Sequence, residues 1–391
     1  MKEVVVIGAA GNIGQVIVKD LVESGAEVIA ADLNEKKLQE LEKWAGKNIA
    51  ITPLDIKDQA KVKEVIKQGK VCVNASNYMF NIDVMRAAAA VGVNMLDLGG
   101  LYTMTKDQLA LDASFKEAGI LALIGMGSDP GVSNICSRYG VDMLDSAEEI
   151  HIRYGSTTTG LTFSFAIDTI IDEAIKNALV VRDGELCEIP ALSGEEFTQF
   201  HDKLGVQKTY SILHSELGSL PQSFPQVKEI TYKDTWDETT IEKLKSLNSL
   251  GLLRNQPVES SGEKIIPRRQ IISLLQQTLQ EEPEWGIDEL LVEIKGKKGE
   301  KQSSVKFEIL TGQQDDWGVT ALAYATGVPA SIAAQMLLKG EIEGEGVLPP
   351  EQCVNPKKFL SYLSQKNVEL YMTCSETENI KKHHLQEEKI F

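Results

Sequence analysis

A doubly wound α/β fold is what the opening part of this sequence predicts, and three observations carry the prediction. Short apolar runs alternate with amphipathic ones between residues 3 and 125. Small residues crowd the junction after the first run, in VVVIGAAGNIGQVIV, residues 4–18. An aspartate, Asp32, closes the second run. Short apolar strands separated by amphipathic helices imply a parallel sheet covered on both faces, and right-handed crossovers wind it both ways.

In order, the apolar runs predict strands at residues 3–7, 27–32, 49–53, 71–74, 94–98 and 121–125. The amphipathic runs predict helices at 12–22, 35–44, 59–66, 82–91 and 106–118. After residue 125 the rhythm changes. Residues 148–154 alternate as a strand, GSTTTG (155–160) is a loop, and a helix follows near 165–179. Segments 192–204, 229–236, 290–295 and 303–310 suggest further strands and helices, many antiparallel, so the second unit is a mixed-sheet α/β domain. Residues 239–284 are charged and helical and read as a surface insertion. From Ser375 onward the polar chain reads as a poorly ordered tail.

A chain of 391 residues exceeds one ordinary core, so two or more domains are expected. A net charge of −17 argues against nucleic acid and anionic membranes as partners. No apolar run reads as a membrane span, and MKEVVVIG leads straight into a strand without a leader signature. Cys72, Cys136, Cys187, Cys353 and Cys374 form no CxxC pair and read as reduced thiols of a cytoplasmic protein. No metal site is expected: His383 and His384 are adjacent, so one helix does not aim both at one ion.

The small residues have a chemical reading. In a doubly wound fold the first helix points its unpaired N–H groups and positive dipole end at a ligand phosphate. Gly8 permits the tight turn, Gly11 lets the phosphate approach, and Gly14 lets the helix pack on the strand. Ala10, Asn12 and Ile13 supply the intervening amides. The spacing GxxGxxG is one residue longer than the usual Rossmann fingerprint. Asp32 is placed to accept the adenosine ribose hydroxyls and to repel a 2′-phosphate, and Leu33 follows it rather than an arginine. This favours NAD over NADP. Asp55, after the third strand, is expected at the adenine edge, and Asn74, Ala75, Ser76 and Asn77 at the nicotinamide side.

Several segments together resemble the saccharopine dehydrogenase-like family, which includes saccharopine reductases, lysine 6-dehydrogenases and carboxynorspermidine dehydrogenases. They are DLGGLYTMTKDQLALDASFKEAGILALIGMGSDPGVSNI (97–135), FAIDTIIDEAIKNALVVRDGE (165–185), YSILHSELGSLPQSFP (210–225) and TGVPASIAAQMLLKGEIEGEGVLPPE (326–351). The resemblance implies a dinucleotide-binding domain over residues 1–125. It also implies a substrate and dimerisation domain over 126–325, and a C-terminal segment, 326–391, returning to the first domain. A homodimer is therefore expected. It implies NAD(P)-linked hydride transfer at a carbon bearing an amine, through an imine.

Candidates for the chemistry follow from residue type and position. Asp97, Gly99 and Gly100 end the fifth strand, beyond which ligands bind in open α/β sheets. Asp97 either orients a substrate amine or caps the following turn. In GSDPGVSN (127–134), Asp129, Pro130 and Asn134 are read as touching nicotinamide and substrate, against the alternative of an interdomain hinge. Thr169, Asp172, Glu173 and Lys176 share one helix face. The resemblance places that face at the substrate cleft, with Glu173 as amine partner or base and Asp172–Lys176 as an ion pair. His214 is the best titrating group, whereas His151 reads as structural. Arg153 and Arg182 are candidate partners for a substrate carboxylate. The expected activity is that of an NAD-preferring dehydrogenase on the C–N bond of an amino acid or amine, in the manner of a lysine 6-dehydrogenase. Saccharopine reductase-like and carboxynorspermidine dehydrogenase-like condensations are the alternatives, and a non-catalytic dinucleotide sensor is the reading from another class.

Overall fold

The computed structural model describes residues 3–158, 167–278 and 286–377. The first unit runs β1 (Val4–Ile7), α1 (Asn12–Glu23), β2 (Val28–Asp32), α2 (Glu35–Ala45), β3 (Ile49–Pro53), α3 (Gln59–Ile66), β4 (Val71–Asn74), α4 (Asn81–Val91), β5 (Asn94–Asp97), α5 (Tyr102–Leu109), α6 (Asp112–Glu117) and β6 (Leu121–Leu123). Next come α7 (Val132–Asp142), β7 (Ser146–Ser156), α8 (Ile167–Ile175), β8 (Ala178–Arg182), β9 (Glu185–Ile189), β10 (Ser193–Gln199), β11 (Val206–Ser211), α9 (Leu220–Ser223) and β12 (Glu229–Thr235). Then follow α10 (Glu238–Ser249), β13 (Val258–Ser260), β14 (Glu263–Ile265), α11 (Pro267–Thr278), β15 (Ile287–Lys298) and β16 (Lys301–Gly312). The chain closes with α12 (Ala321–Leu338), β17 (Gly346–Leu348), α13 (Pro350–Cys353), α14 (Pro356–Leu363) and β18 (Val368–Thr377).

The parallel sheet has the order β17-β6-β5-β4-β1-β2-β3. Its order reverses beside β1, where β1 pairs with both β2 and β4, and that crevice is where ligands bind in such folds. Strand alternation explains the two cores. Val4 and Val6 face one cluster with Ile17, Leu21 and the residues of α12, while Val5 and Ile7 face the other with Val62, Val84 and Met85. Side-chain caps start the helices where polar residues precede them. Asn34 accepts from the Lys37 amide at α2, and Asp58 from the Lys61 amide at α3.

The second sheet is mixed, with the order β10-β11-β12-β7-β15-β16-β18, and β8 and β9 branch from β12. Only β12 and β7 pair in parallel within this path; the others are antiparallel. The chain after residue 326 serves both units, since β17 joins the parallel sheet and β18 edges the mixed one.

Four local expectations change. The helix read at 106–118 is two, α5 and α6, parted at Ala110–Leu111. The helix read near 165–179 ends at Ile175, because Ala178 already pairs with Ile189. Residues 375–377 lie in β18, and the rest of the polar tail, with His383 and His384, is outside the described residues. Finally, α12 is long and apolar enough to span a membrane, contrary to the sequence reading, yet 72% of it is buried inside the protein. It packs on α1 so closely that a Cβ on Gly327 would lie 2.7 Å from Val16 Cγ1.

Candidate active site

The turn between β1 and α1 is built for a ligand that meets backbone. Gly8 has φ +78°, and a Cβ there would lie 2.7 Å from the Ala75 carbonyl carbon. A Cβ on Gly14 would lie 2.1 Å from the Gly8 oxygen, so this glycine permits α1 to sit on the turn. Gly11 differs: its Cβ would meet only the Gly8 oxygen, at 3.4 Å, and Gly11 lines the cleft. It is the N-cap of α1 and offers no side-chain cap, so the first-turn amides of Asn12 and Ile13 face the cleft without an intrahelical partner. A bare helix start behind a cradle that side chains would fill fits a dinucleotide pyrophosphate.

Around it, Ala75, Ser76, Asn77, Gly99 and Pro130 line one cavity of about 490 Å³ with Gly11. Seven cofactor candidates do not line it: Gly8, Ala10 and Gly14, which build the turn behind Gly11, and Asp32, Leu33, Asp55 and Asn74. Asn74 is buried beneath the loop, where its amide donates to Asn81 (2.8 Å) and its oxygen accepts from Ser76 Oγ (2.7 Å). Asp55 is exposed and accepts from the Lys57 amide at 2.9 Å. Leu33 is 71% exposed. Asp32 ends β2 as expected, but both its oxygens already serve backbone: Oδ2 accepts from Ala10 N at 3.1 Å and Oδ1 from Asn34 N at 2.9 Å. It braces the glycine turn and does not line the cavity.

Facing the dinucleotide side is a cluster of ionisable groups from the second unit. Glu173 on α8 is buried, and burial first, then the carboxylates of Asp129 and Asp172, raise its pKa to about 8 against the pull of His214. His214 follows β11. Burial works against its charged form, but Glu216 at hydrogen-bond contact, with Glu173 and Asp129 beyond, holds its pKa up at about 10. Its ring stacks on Tyr232 at 3.9 Å and 4°. Glu216 is fully buried, and its second oxygen accepts from Ser133 Oγ at 2.8 Å. Tyr232 donates to Asp129, whose pKa burial raises to about 6. Asp234 and Asp288 also line the cavity, both shifted upward chiefly by burial, Asp288 to about 6.

The structure brings Glu173, His214, Asp129, Thr169, Gly99 and Gly100 to one cavity, and it removes four other candidates from it. Asp97 is a brace, the turn-capping alternative: it is fully buried and accepts from the amides of Gly99 (2.7 Å) and Gly125 (3.1 Å) and from Gln108. Asn134 sits at the start of α7, accepting from Gly131 N and donating to Glu351 at 2.8 Å, away from the cavity. Arg153 spends its guanidinium on Glu196, the Ile152 carbonyl and Thr231. Arg182 is exposed at the end of β8. Sequence reasoning missed Tyr232, Asp234, Asp288 and Glu216. Only Glu216 had a local signal, lying two residues after His214 in HSELGSLP. The Asp172–Lys176 pair is present at 3.0 Å, and His151 sits on β7 against Thr231 and Glu149.

A Rossmann cradle opening on a buried acid–imidazole cluster fits a nicotinamide dinucleotide-dependent oxidoreductase. The chain belongs to the saccharopine dehydrogenase family: residues 4–123 match the saccharopine dehydrogenase NADP binding domain, and residues 127–368 match the saccharopine dehydrogenase C-terminal domain. It is 25% identical to a carboxyaminopropylagmatine dehydrogenase of Synechocystis, over 93% of this chain and 96% of that one. It is 27% identical to a carboxynorspermidine synthase of Vibrio cholerae, over 78% of each. Its fold superposes on apo saccharopine dehydrogenase (L-Glu forming) from Saccharomyces cerevisiae with a TM-score of 0.75 at 16% identity, covering 96% of this chain and all 100% of that one. The matched domain description names NADP, which favours NADP over the NAD expected from Asp32.

Proposed function

We propose that this enzyme joins, or by reversal cleaves, a secondary amine between a carboxylate-bearing arm and a second, cationic amine arm, in the manner its polyamine-named relatives suggest. One observation carries the reading. Asp129, Glu173, Asp234, Asp237 and Asp288 line the cavity, His214 is its one imidazole, and among the described residues no arginine or lysine lines it. A pocket for a product with several carboxylates needs planar cationic partners. This one instead offers carboxylates to ammonium groups. The reading therefore favours a carboxynorspermidine-like condensation over the saccharopine-like and lysine 6-dehydrogenase-like alternatives.

A nicotinamide dinucleotide would be held by the Gly11–Ile13 turn and the Ala75–Asn77 loop, and would supply hydride chemistry at the carbon of the C–N bond. The chain's own groups do the rest. Condensation of aldehyde and amine releases water and needs a proton donor at the departing hydroxyl of the carbinolamine. Glu173, half-protonated near pH 8, gives that proton in the reductive direction and takes it back in the oxidative one. His214, held cationic by Glu216, receives the substrate carboxylate. Tyr232 stacks beneath its ring and fixes its plane. Asp234 and Asp288 receive the distal ammonium. Thr169, Gly99 and Gly100 shape the wall between the two arms.

The test is steady-state oxidation of NADPH and NADH with a short carboxylated aldehyde and a panel of diamines, beside the reverse assay with saccharopine and with lysine. Diamines are expected to give the highest kcat/KM. Faster turnover of saccharopine or lysine would overturn the substrate reading.

A further inference from the structure

We infer that Arg268 is a positioning residue for this site, acting through Asp172 on Tyr78 of one lobe and on Glu173 of the other. Arg268 stands on α11, in the stretch whose composition reads as a surface insertion, yet it is 3% exposed. It lines no cavity. Its Nε donates to the Leu253 carbonyl at 2.9 Å, and its Nη1 donates to Asp172 Oδ1 at 2.6 Å. Asp172 is equally buried, and its other oxygen accepts from Lys176 Nζ at 3.0 Å and from Tyr78 OH at 3.1 Å. A buried guanidinium fixed by a carbonyl and a carboxylate orients that carboxylate rigidly.

Each end of this chain of contacts touches the cleft. Tyr78 follows Asn77 on the dinucleotide side, and a Cβ on Gly100 would lie 3.0 Å from its ring, so the ring fills the space this glycine leaves. Both line the cavity. Glu173 follows Asp172 on α8 and faces the same cavity. The charged groups facing Glu173 are His214, Asp129, Asp172, Glu216 and Asp234, and Asp172 is the member of this set that Arg268 neutralises. Without Arg268, Asp172 keeps Lys176 alone as counter-charge and the Glu173 pKa rises; removal of Asp172 lowers it.

This inference rests on Glu173 as the acid–base group, and the experiment separates the two ideas. pH profiles of kcat/KM are measured for the wild type, Glu173→Gln, Arg268→Met and Asp172→Asn, together with calorimetric titration of NADPH into Tyr78→Phe, Arg268→Met and the double variant. Arg268→Met is expected to move the Glu173 limb up by about one pH unit and Asp172→Asn to move it down, both with kcat/KM lowered about tenfold. NADPH binding should weaken in both single variants, with little added loss in the double one. If Glu173→Gln leaves the limb in place, the acid–base reading fails and the binding cycle alone decides the role of Arg268. If Glu173→Gln abolishes the limb while the other two leave it unmoved or shift it the same way, or if the binding losses simply add, the inference is overturned. Should Arg268→Met not fold, Arg268→Lys, which keeps the charge without the fork, replaces it: the limb is then expected to stay in place while NADPH binding still weakens, and unweakened binding overturns the inference.

Discussion

Glu216→Gln is the sharpest probe of how this pocket makes a cation without lysine or arginine. The substitution is isosteric and keeps the Ser133 hydrogen bond available, so it removes charge rather than shape. In the wild type, Glu216 leads the groups that hold His214 near 10 instead of its ordinary 6.5. Without it, burial pushes the imidazole down, and near neutral pH ionised Asp129 is the main group pulling it up. A pKa at or below 6.5 leaves about one imidazole in ten charged at about pH 7.5, where the wild type is fully charged. The KM of the carboxylate-bearing substrate should therefore rise about tenfold at that pH and recover toward pH 6, while NADPH affinity holds. Histidine side-chain NMR supplies the independent readout. The His214 ring should stay cationic beyond pH 8.5 in the wild type and titrate below about 6.5 in the variant. A wild-type ring that titrates near 6.5, or an unchanged KM when the variant's ring is neutral, would refute the reasoning.

Four further outcomes are expected. In the oxidative direction kcat/KM should climb through a limb near pH 8 as Glu173 deprotonates, and in the reductive direction it should fall through the same limb, with Glu173→Gln abolishing both. Gly14→Ala places a methyl 2.1 Å from the Gly8 oxygen, so dinucleotide titrations should lose at least about tenfold in affinity, and chemical denaturation should register about 1–3 kcal/mol. Asp32→Ala should weaken NAD and NADP alike, because it removes the brace on Ala10; a loss confined to NAD would restore Asp32 as a ribose selector. Asp20→Ala should cost about 1–3 kcal/mol in denaturant melts, since buried Asp20 joins half-buried Lys366 (2.6 Å) and Ser331 (2.7 Å) to α1.

The parallel domain was legible because its rules are local. Strand, glycine turn, helix and Asp32 follow one another within a few dozen residues, and each leaves its period in the sequence. The helix read at 106–118 failed at Ala110–Leu111, where no glycine or proline marks the break. The acid–imidazole cluster was half legible. His214 and Glu173 stood out as rare or clustered polar residues, but Tyr232 and Asp288 lie on strands whose register decides which face they present. Asp97 misled because a carboxylate at a strand end has two uses, and the amides of Gly99 and Gly125 claim it for the structural one. Arg153 misled likewise: its neighbours in space, Glu196 and Thr231, come from strands far along the chain.

One edge strand of the dinucleotide sheet, β17, is translated more than two hundred residues after its neighbour β6. Until Gly346–Leu348 leaves the ribosome, β6 is a naked edge, open to strands of other chains. An N-terminal fragment cut near residue 125 should thus aggregate unless a peptide spanning α12 and β17 is added back, and such complementation would let the timing of assembly be set by hand.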